Sequence, residues 1–179
     1  MILLVEDNPG DVQLIREYAT GYSGAQCSIE SCSTMKQALS LLTSQSFDAV
    51  LLDLSLPDSQ GVETVRKVCE HSPTIPIVAL TGASNQSLAE QAIQLGAQDF
   101  LSKQSLTPDL LCRTVTYAIE RSHIRRDLRI SESRHRLLVE SAPVSIVHFS
   151  PNGDIISINP LAAKRWRRQS EDCIGMNIR

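Results

Sequence analysis

No apolar stretch in this chain approaches the roughly 20 residues needed to cross a bilayer, so no membrane-spanning helix is expected. No leader peptide is expected either, because Ile2-Leu3-Leu4-Val5 runs directly into Glu6 and Asp7 and not into a small-residue cleavage site. The expected compartment is the cytoplasm. Cysteines in C-x-x-C spacing are absent: Cys27, Cys32, Cys69, Cys112 and Cys173 are odd in number and have no His partner nearby. Neither a disulfide framework nor a zinc site is expected, and the five read as reduced, buried thiols. The histidines, His71, His123, His135 and His148, are too scattered to form a metal site. Arginines cluster between Arg121 and Arg136, yet no aromatics are interleaved with them and no helix-turn-helix pattern follows. A solvated helix face or interhelical charge pairing is therefore preferred to nucleic-acid binding.

The chain has 179 residues, enough for one domain of roughly 100–150 residues and an appended segment. Its net charge of −3 is unevenly spread. Through Glu120 there are 6 Lys and Arg against 14 Asp and Glu, and from Arg121 onward 11 against 6. An acidic module followed by a basic one implies a boundary near residue 120.

Short apolar runs alternate with helical patterns, the signature of repeated βα units on a parallel sheet. Strands are expected at Ile2 to Val5, Cys27 to Cys32, Asp48 to Leu52, Ile75 to Leu80 and Gln98 to Leu101. Helices are expected from Asn8-Pro9 to about Tyr18, with Asn8 as the cap and Pro9 at the first helical position, and over Thr34 to Thr43, Gln60 to Glu70 and Asn85 to Leu95. A fifth helix begins near Thr107-Pro108. Ser28 and Glu30 interrupt the second strand, as suits an edge strand with one wet face. The expected fold is a doubly wound, flavodoxin-like α/β sheet of five parallel strands in the order 2-1-3-4-5.

In such a sheet the carboxyl ends of the strands share one edge, outside which ligands bind. Here that edge collects Glu6 and Asp7 after the first strand, Asp53 after the third, Thr81 after the fourth and Lys103 after the fifth. Only the second strand lacks such a residue, and it is the one placed away from the crevice. Three carboxylates brought together repel unless a cation offsets them, and Mg²⁺ is the natural choice because it takes hard oxygen ligands. A carboxylate that attacks phosphorus approaches an anion, so Lys103 and the metal would neutralise developing charge while Thr81 offers a hydroxyl. Taken singly, each residue has an ordinary reading: Glu6-Asp7 as acids favouring a helix N-terminus, Asp53 as a loop carboxylate, Lys103 as a surface lysine. Their joint position carries the functional reading.

VEDNPGD, LLDLSLPD, ALTG and LSK, in this order and spacing, resemble the receiver domain of bacterial response regulators over about residues 1–122. The resemblance implies that Asp53 accepts a phosphoryl group from a phosphohistidine of a sensor histidine kinase or a histidine phosphotransfer protein. It further implies that Asp7, Asp53 and the backbone carbonyl of Ser55 bind Mg²⁺, with Glu6 acting through water. Thr81 and Phe100 would form the switch, Phe100 moving between exposed and buried positions; the alternative is an ordinary core phenylalanine. Gly82 would leave room for close backbone approach. Ser55 would also tune hydrolysis of the acyl phosphate. Gln104 departs from the proline usual in the family after the lysine, which removes the expectation of a cis peptide there.

From Leu110 no Gly or Pro intervenes until Pro143, and Tyr117, Ile124 and Leu128 recur at heptad-like spacing, so a long helix is expected, with a break near Ser131 as an alternative. Residues 123–137 read as a helical linker and 138–179 as an α+β segment: VSIVHFS, a PNGD turn, IISI, then a helix from Pro160 to Arg168. LLVESAP, PNGD, INPLA and the IG step resemble the first half of a PAS sensory domain, too short to complete a core. The whole reads as a non-enzymatic phosphorelay protein with at most slow self-catalysed phosphorylation and dephosphorylation. Its output passes through the fourth helix, fifth strand and fifth helix, with a homodimer formed there or through the linker. A histidine kinase or GGDEF cyclase domain often follows such arrays. Two rivals remain: a non-phosphorylated scaffold receiver, and a haloacid-dehalogenase-like Mg²⁺-dependent phosphatase. The second wants an Asp where Ser55 stands.

Overall fold

The structure, a computed structural model, describes residues 1–20, 28–82 and 86–177, which divide into units of residues 1–125 and 126–179. The first unit is built on five parallel strands: β1 (Ile2–Val5), β2 (Ile29–Cys32), β3 (Ala49–Asp53), β4 (Ile77–Thr81) and β5 (Asp99–Ser102). Their order is β2-β1-β3-β4-β5, as the sequence predicts. Helices α1 (Pro9–Thr20), α2 (Met35–Ser44), α3 (Val62–His71), α4 (Gln86–Gln94) and α5 (Pro108–Ser141) alternate with the strands. The expected beginnings of the second strand at Cys27 and of the fourth helix at Asn85 lie outside the described residues.

β1, β3 and β4 are buried along their whole length, which is why they read as continuous apolar runs and not as alternating ones. Successive side chains leave opposite faces of the sheet. Leu3, Val5, Val50, Leu52, Ile77 and Ala79 join Met35 and Ala38 of α2, Val65 and Val68 of α3 and Ala92 of α4 in one core cluster. Ile2, Leu4, Ala49, Leu51, Val78 and Leu80 meet Ile15 of α1 and Leu111, Val115 and Ala118 of α5 in the other. Each large buried side chain stabilises the fold by about 1.5–3 kcal/mol. β2, half-buried throughout, occupies an edge.

Asn8 caps α1 as expected, its Oδ1 accepting the Gly10 N–H at 2.9 Å. α5 continues unbroken through Ser131, which removes the alternative of a break there. Neither Gly nor Pro interrupts it, and Ser131 is exposed, so its hydroxyl is free to point to water. No helix among the described residues is long and apolar enough to cross a membrane.

In the second unit β6 (Val147–Phe149) and β7 (Ile155–Ile158) pair antiparallel and are followed by α6 (Pro160–Arg165) and α7 (Ser170–Cys173). The helix expected to reach Arg168 ends at Arg165, and Arg167 turns the chain with φ of 57°. Ile155, Ile158, Ala162, Ala163 and Cys173 form a small core. Asn159 organises this unit. It is 1% exposed, its Oδ1 accepts from Ile146 N and Ala162 N, and its Nδ2 donates to Val139 O and Val144 O.

Of the cysteines, Cys173 is buried, while Cys32, Cys69 and Cys112 are half-buried, a partial departure from the expected burial. Cys27 lies outside the described residues.

Candidate functional site

Parallel pairing sets the site by register. Val5 lies beside Leu52, Asp53 beside Leu80, and Thr81 beside Ser102, so Glu6, Asp53, Thr81 and Lys103 all emerge at one edge of the sheet. Glu6, Asp7 and Asp53 each offer a carboxylate oxygen within 4.8 Å of the others. Glu6 and Asp53 are buried, at 2% and 4% exposure, and Asp7 is exposed. An acidic trio with both buried and open members can receive a hard cation that keeps part of its water.

Lys103 closes this cluster. Its ammonium lies 2.6 Å from Glu6 Oε2 and donates to Asp53 Oδ2 and Asp11 Oδ2, each at 2.9 Å. The contact with Glu6 is an ion pair without the alignment of a hydrogen bond, which leaves that buried oxygen without a hydrogen-bond donor. The other Glu6 oxygen accepts the Asn8 N–H at 3.1 Å. Burial pushes the Glu6 carboxyl above its ordinary value; the Lys103 ammonium works against that, and Asp53 adds to it. Burial also works against the charge on Lys103, but Glu6, Asp53 and Asp11 reverse this and hold the ammonium well above its ordinary value. Three carboxylates therefore surround one ammonium, with Asp7 beside two of them, and the under-coordinated Glu6 oxygen and all-oxygen donor set fit Mg²⁺.

Asp53 is held on both oxygens, Oδ1 accepting the Ser55 N–H at 3.1 Å and Oδ2 the Lys103 ammonium. The loop that follows forms a small hairpin, Ser55–Leu56 against Ser59–Gln60, where the sequence suggested the start of a helix at Gln60. It closes at Gly61, whose N–H donates to Leu54 O and whose φ of +62° and ψ of −146° favour glycine.

Thr81 is buried on the neighbouring strand, its hydroxyl donating to Leu101 O at 3.5 Å. Phe100, at 36% exposure, is a surface residue of β5 and not a core phenylalanine. Space beside Gly82 is open, since nothing lies within 4 Å of where its Cβ would be. No cis peptide occurs among the described residues, the Lys103–Gln104 bond included.

Two acidic residues, the last of VEDNPGD and the last of LLDLSLPD, had no role of their own assigned from the sequence. Asp11 looks like a first-turn acid of α1, and its role as a Lys103 partner depends on a residue 92 positions away. Asp58 looks like a turn residue after Pro57, but its carboxylate accepts the Met35 and Lys36 N–H groups of α2 at 2.9 and 3.0 Å. The local hint for Asp11 was its place at the end of the VEDNPGD motif.

Residues 2–116 match the family model described as "Response regulator receiver domain". The chain is 35% identical to the regulatory protein LuxO of Vibrio cholerae over 126 residues, covering 70% of this chain and 27% of that protein. It is 30% identical to a probable cyclic di-GMP phosphodiesterase of the same organism, covering 65% of this chain and 26% of that protein. The chain thus spans about a quarter of these relatives' length. Among solved structures, the receiver domain of an HD domain-containing protein from Pseudomonas fluorescens Pf-5 is 25% identical with a TM-score of 0.63, covering 70% of this chain and 90% of that one. The receiver domain of NtrX from Brucella abortus shares the fold at 24% identity and a TM-score of 0.61, covering 67% of this chain and 98% of that one. Receiver domains are regulatory phosphoacceptors, phosphorylated by histidine kinases, that generally bind Mg²⁺ at an acidic pocket. On its sheet topology, the clustering at the sheet edge and the family match over residues 2–116, this chain belongs to the response regulator receiver family.

Proposed function

We propose that Asp53 is the phosphoacceptor of a two-component phosphorelay. The observation that carries this reading is the fixing of Asp53 between the Ser55 N–H and the Lys103 ammonium, inside a carboxylate cluster suited to a divalent cation. Glu6, Asp7, Asp53 and the Ser55 carbonyl would hold Mg²⁺, with Glu6 acting through water. When bound, the ion supplies charge neutralisation at the phosphoryl oxygens. A carboxylate oxygen of Asp53 attacks phosphorus as the P–N bond of a phosphohistidine breaks. The bonding pair leaves with the imidazole nitrogen, which takes up a proton, and an aspartyl phosphate results. Lys103 meets the phosphoryl group with its ammonium, and Thr81 turns its hydroxyl from Leu101 O toward a phosphoryl oxygen, drawing Phe100 from its exposed position.

The donor is a sensor histidine kinase or a histidine phosphotransfer protein, and the setting is cytoplasmic. The face made by α4, β5 and α5 carries the signal onward and, with the linker part of α5, supports a homodimer; nucleic acid is not contacted by this chain. Residues 1–122 form the receiver, 123–137 the linker and 138–179 the first part of a PAS domain. The chain acts as a regulator and not as an enzyme; the phosphodiesterase named above is a property of that relative, of which this chain covers 26%.

Incubation with Mg²⁺ and a small acyl-phosphate donor, followed by intact-mass measurement, tests the reading. A phosphoryl-sized gain in wild type that is absent in Asp53→Asn supports it. Absence of any gain in wild type indicates a scaffold receiver, and turnover of phosphomonoesters indicates the phosphatase.

A further inference from the structure

The loop after Asp53 must hold the Ser55 backbone still if that backbone is to serve a metal, yet an isolated two-stranded hairpin is marginally stable at best. With two residues in each strand, the hairpin over residues 55–60 needs outside support. Some comes from the buried Leu56 and from Ser59, whose Oγ receives hydrogen bonds from Thr64 Oγ1 and Lys67 Nζ at 3.2 and 3.1 Å. The remaining support comes from a helix elsewhere in the sequence.

The first four N–H groups of a helix have no partner within it. In α2, Thr34 Oγ1 satisfies one of these, accepting from Gln37 N, while the Thr34 carbonyl accepts the first regular helix bond, from Ala38 N. Met35 N and Lys36 N are satisfied by Asp58, from 23 and 22 positions away. Asp58 stands at the tip of the hairpin, so its carboxylate ties the tip to the start of α2 with two charge-assisted hydrogen bonds.

We propose that Asp58 is a positioning residue of the phosphoacceptor site: by bridging the hairpin tip to the first turn of α2, it holds the Ser55 backbone in the geometry that receives Mg²⁺. This rests on the phosphoacceptor reading for its consequence, though not for the bridge itself. Asp58 touches neither metal nor phosphoryl group. It acts through the loop, and a shift of an ångström in such a loop is enough to slow a positioned reaction.

Thr34→Ala provides the control, because it removes the other side-chain cap of the same helix without touching the hairpin. Two readouts are needed: amide hydrogen exchange on the metal-free protein, followed at the Gly61 N–H that closes the hairpin, and Mg²⁺ affinity by calorimetry. Asp58→Ala is expected to lose exchange protection at Gly61 and to weaken Mg²⁺ binding by about tenfold, the lower end for residues that support metal ligands. Thr34→Ala is expected to leave both near wild type, and Asp58→Asn, which keeps one acceptor, to restore Gly61 protection in part. Wild-type protection at Gly61 in Asp58→Ala, or equal losses in Thr34→Ala, overturns the proposal. An effect on Mg²⁺ with Gly61 unmoved in every variant would mark a bare charge effect and overturns it equally. Should wild type take up neither Mg²⁺ nor phosphoryl, the phosphoacceptor reading falls, while the exchange data still decide whether the bridge holds the loop.

Discussion

Lys103 reaches back 50 positions to place its ammonium 2.9 Å from Asp53 Oδ2, and so binds the ends of β3 and β5 together at the site. The same nitrogen faces Glu6, whose side chain is fully buried. Removing one partner of a buried pair leaves the other charge uncompensated, which costs more than the pair itself contributes.

Lys103→Ala should therefore destabilise the metal-free protein by about 3 kcal/mol, measured by urea unfolding in chelator. Its Mg²⁺ affinity should be retained, because the lost group is a cation and not a ligand, while phosphorylation with a small acyl phosphate slows sharply. A loss of Mg²⁺ affinity as large as that of Asp7→Ala would contradict this assignment.

For Asp58 the pH dependence has a definite sign. Desolvation pushes its carboxyl up, but the Lys36 and Met35 N–H groups and the charge of Lys67 reverse this and hold it below its ordinary value. Its contribution is therefore complete above the unfolded value of about 3.9 and disappears as pH falls through the lower folded value. Asp58→Ala should cost about 1 kcal/mol at neutral pH, in the range of a helix cap. The gap to wild type should hold steady from pH 7 to about 5 and narrow below about 4, as denaturant titrations across that range would reveal.

In the second unit, Asn159 uses both acceptor sites and both donors of its amide. Asp in its place keeps the acceptors but turns a carboxylate toward Val139 O and Val144 O. Asn159→Asp should cost about 3 kcal/mol, as expected when a charge replaces a satisfied buried donor. Limited proteolysis should then cut first within residues 142–177, leaving residues 1–125 intact.

Burial pushes the Cys32 thiol up to about 11. Thiolate is the reactive form, so Cys32 should resist iodoacetamide at pH 8 in the folded protein and react once urea unfolds it. Peptide mapping of the alkylated protein checks this, and rapid labelling of Cys32 without denaturant would contradict it.

Strand ends carried most of what was legible beforehand. Runs such as Ile2 to Val5 and Ala49 to Leu52 are apolar because both faces of their strands are covered, and the polar residue ending each marks the edge of that cover. Boundaries drifted by a residue or two, as at Ile77 in place of Ile75, because the Ile75 N–H is taken by a turn to Ser72 O and Pro76 has no N–H to offer the ladder. What escaped was tertiary. Asp11 and Asp58 look locally like a first-turn acid and a turn former, and their partners lie 92 and 22–23 positions away. The hairpin after Asp53 escaped for the same reason, since four short residues with no apolar alternation give no strand signal. The exposure of Phe100 agrees with the place of β5 at an edge of the sheet, which the expected strand order already gave it, and disfavours the core alternative.

At Gly96, which ends α4 with φ of +115°, a Cβ would come within 3.1 Å of Cys69 Sγ on α3. Two unrelated constraints, one of backbone conformation and one of space, thus fall on the same atom. Trimming Cys69 to alanine relieves the second and leaves the first. Side chains at 96 should accordingly resist rescue from the neighbouring helix, making this a position where sequence drift in one partner opens no new choices in the other.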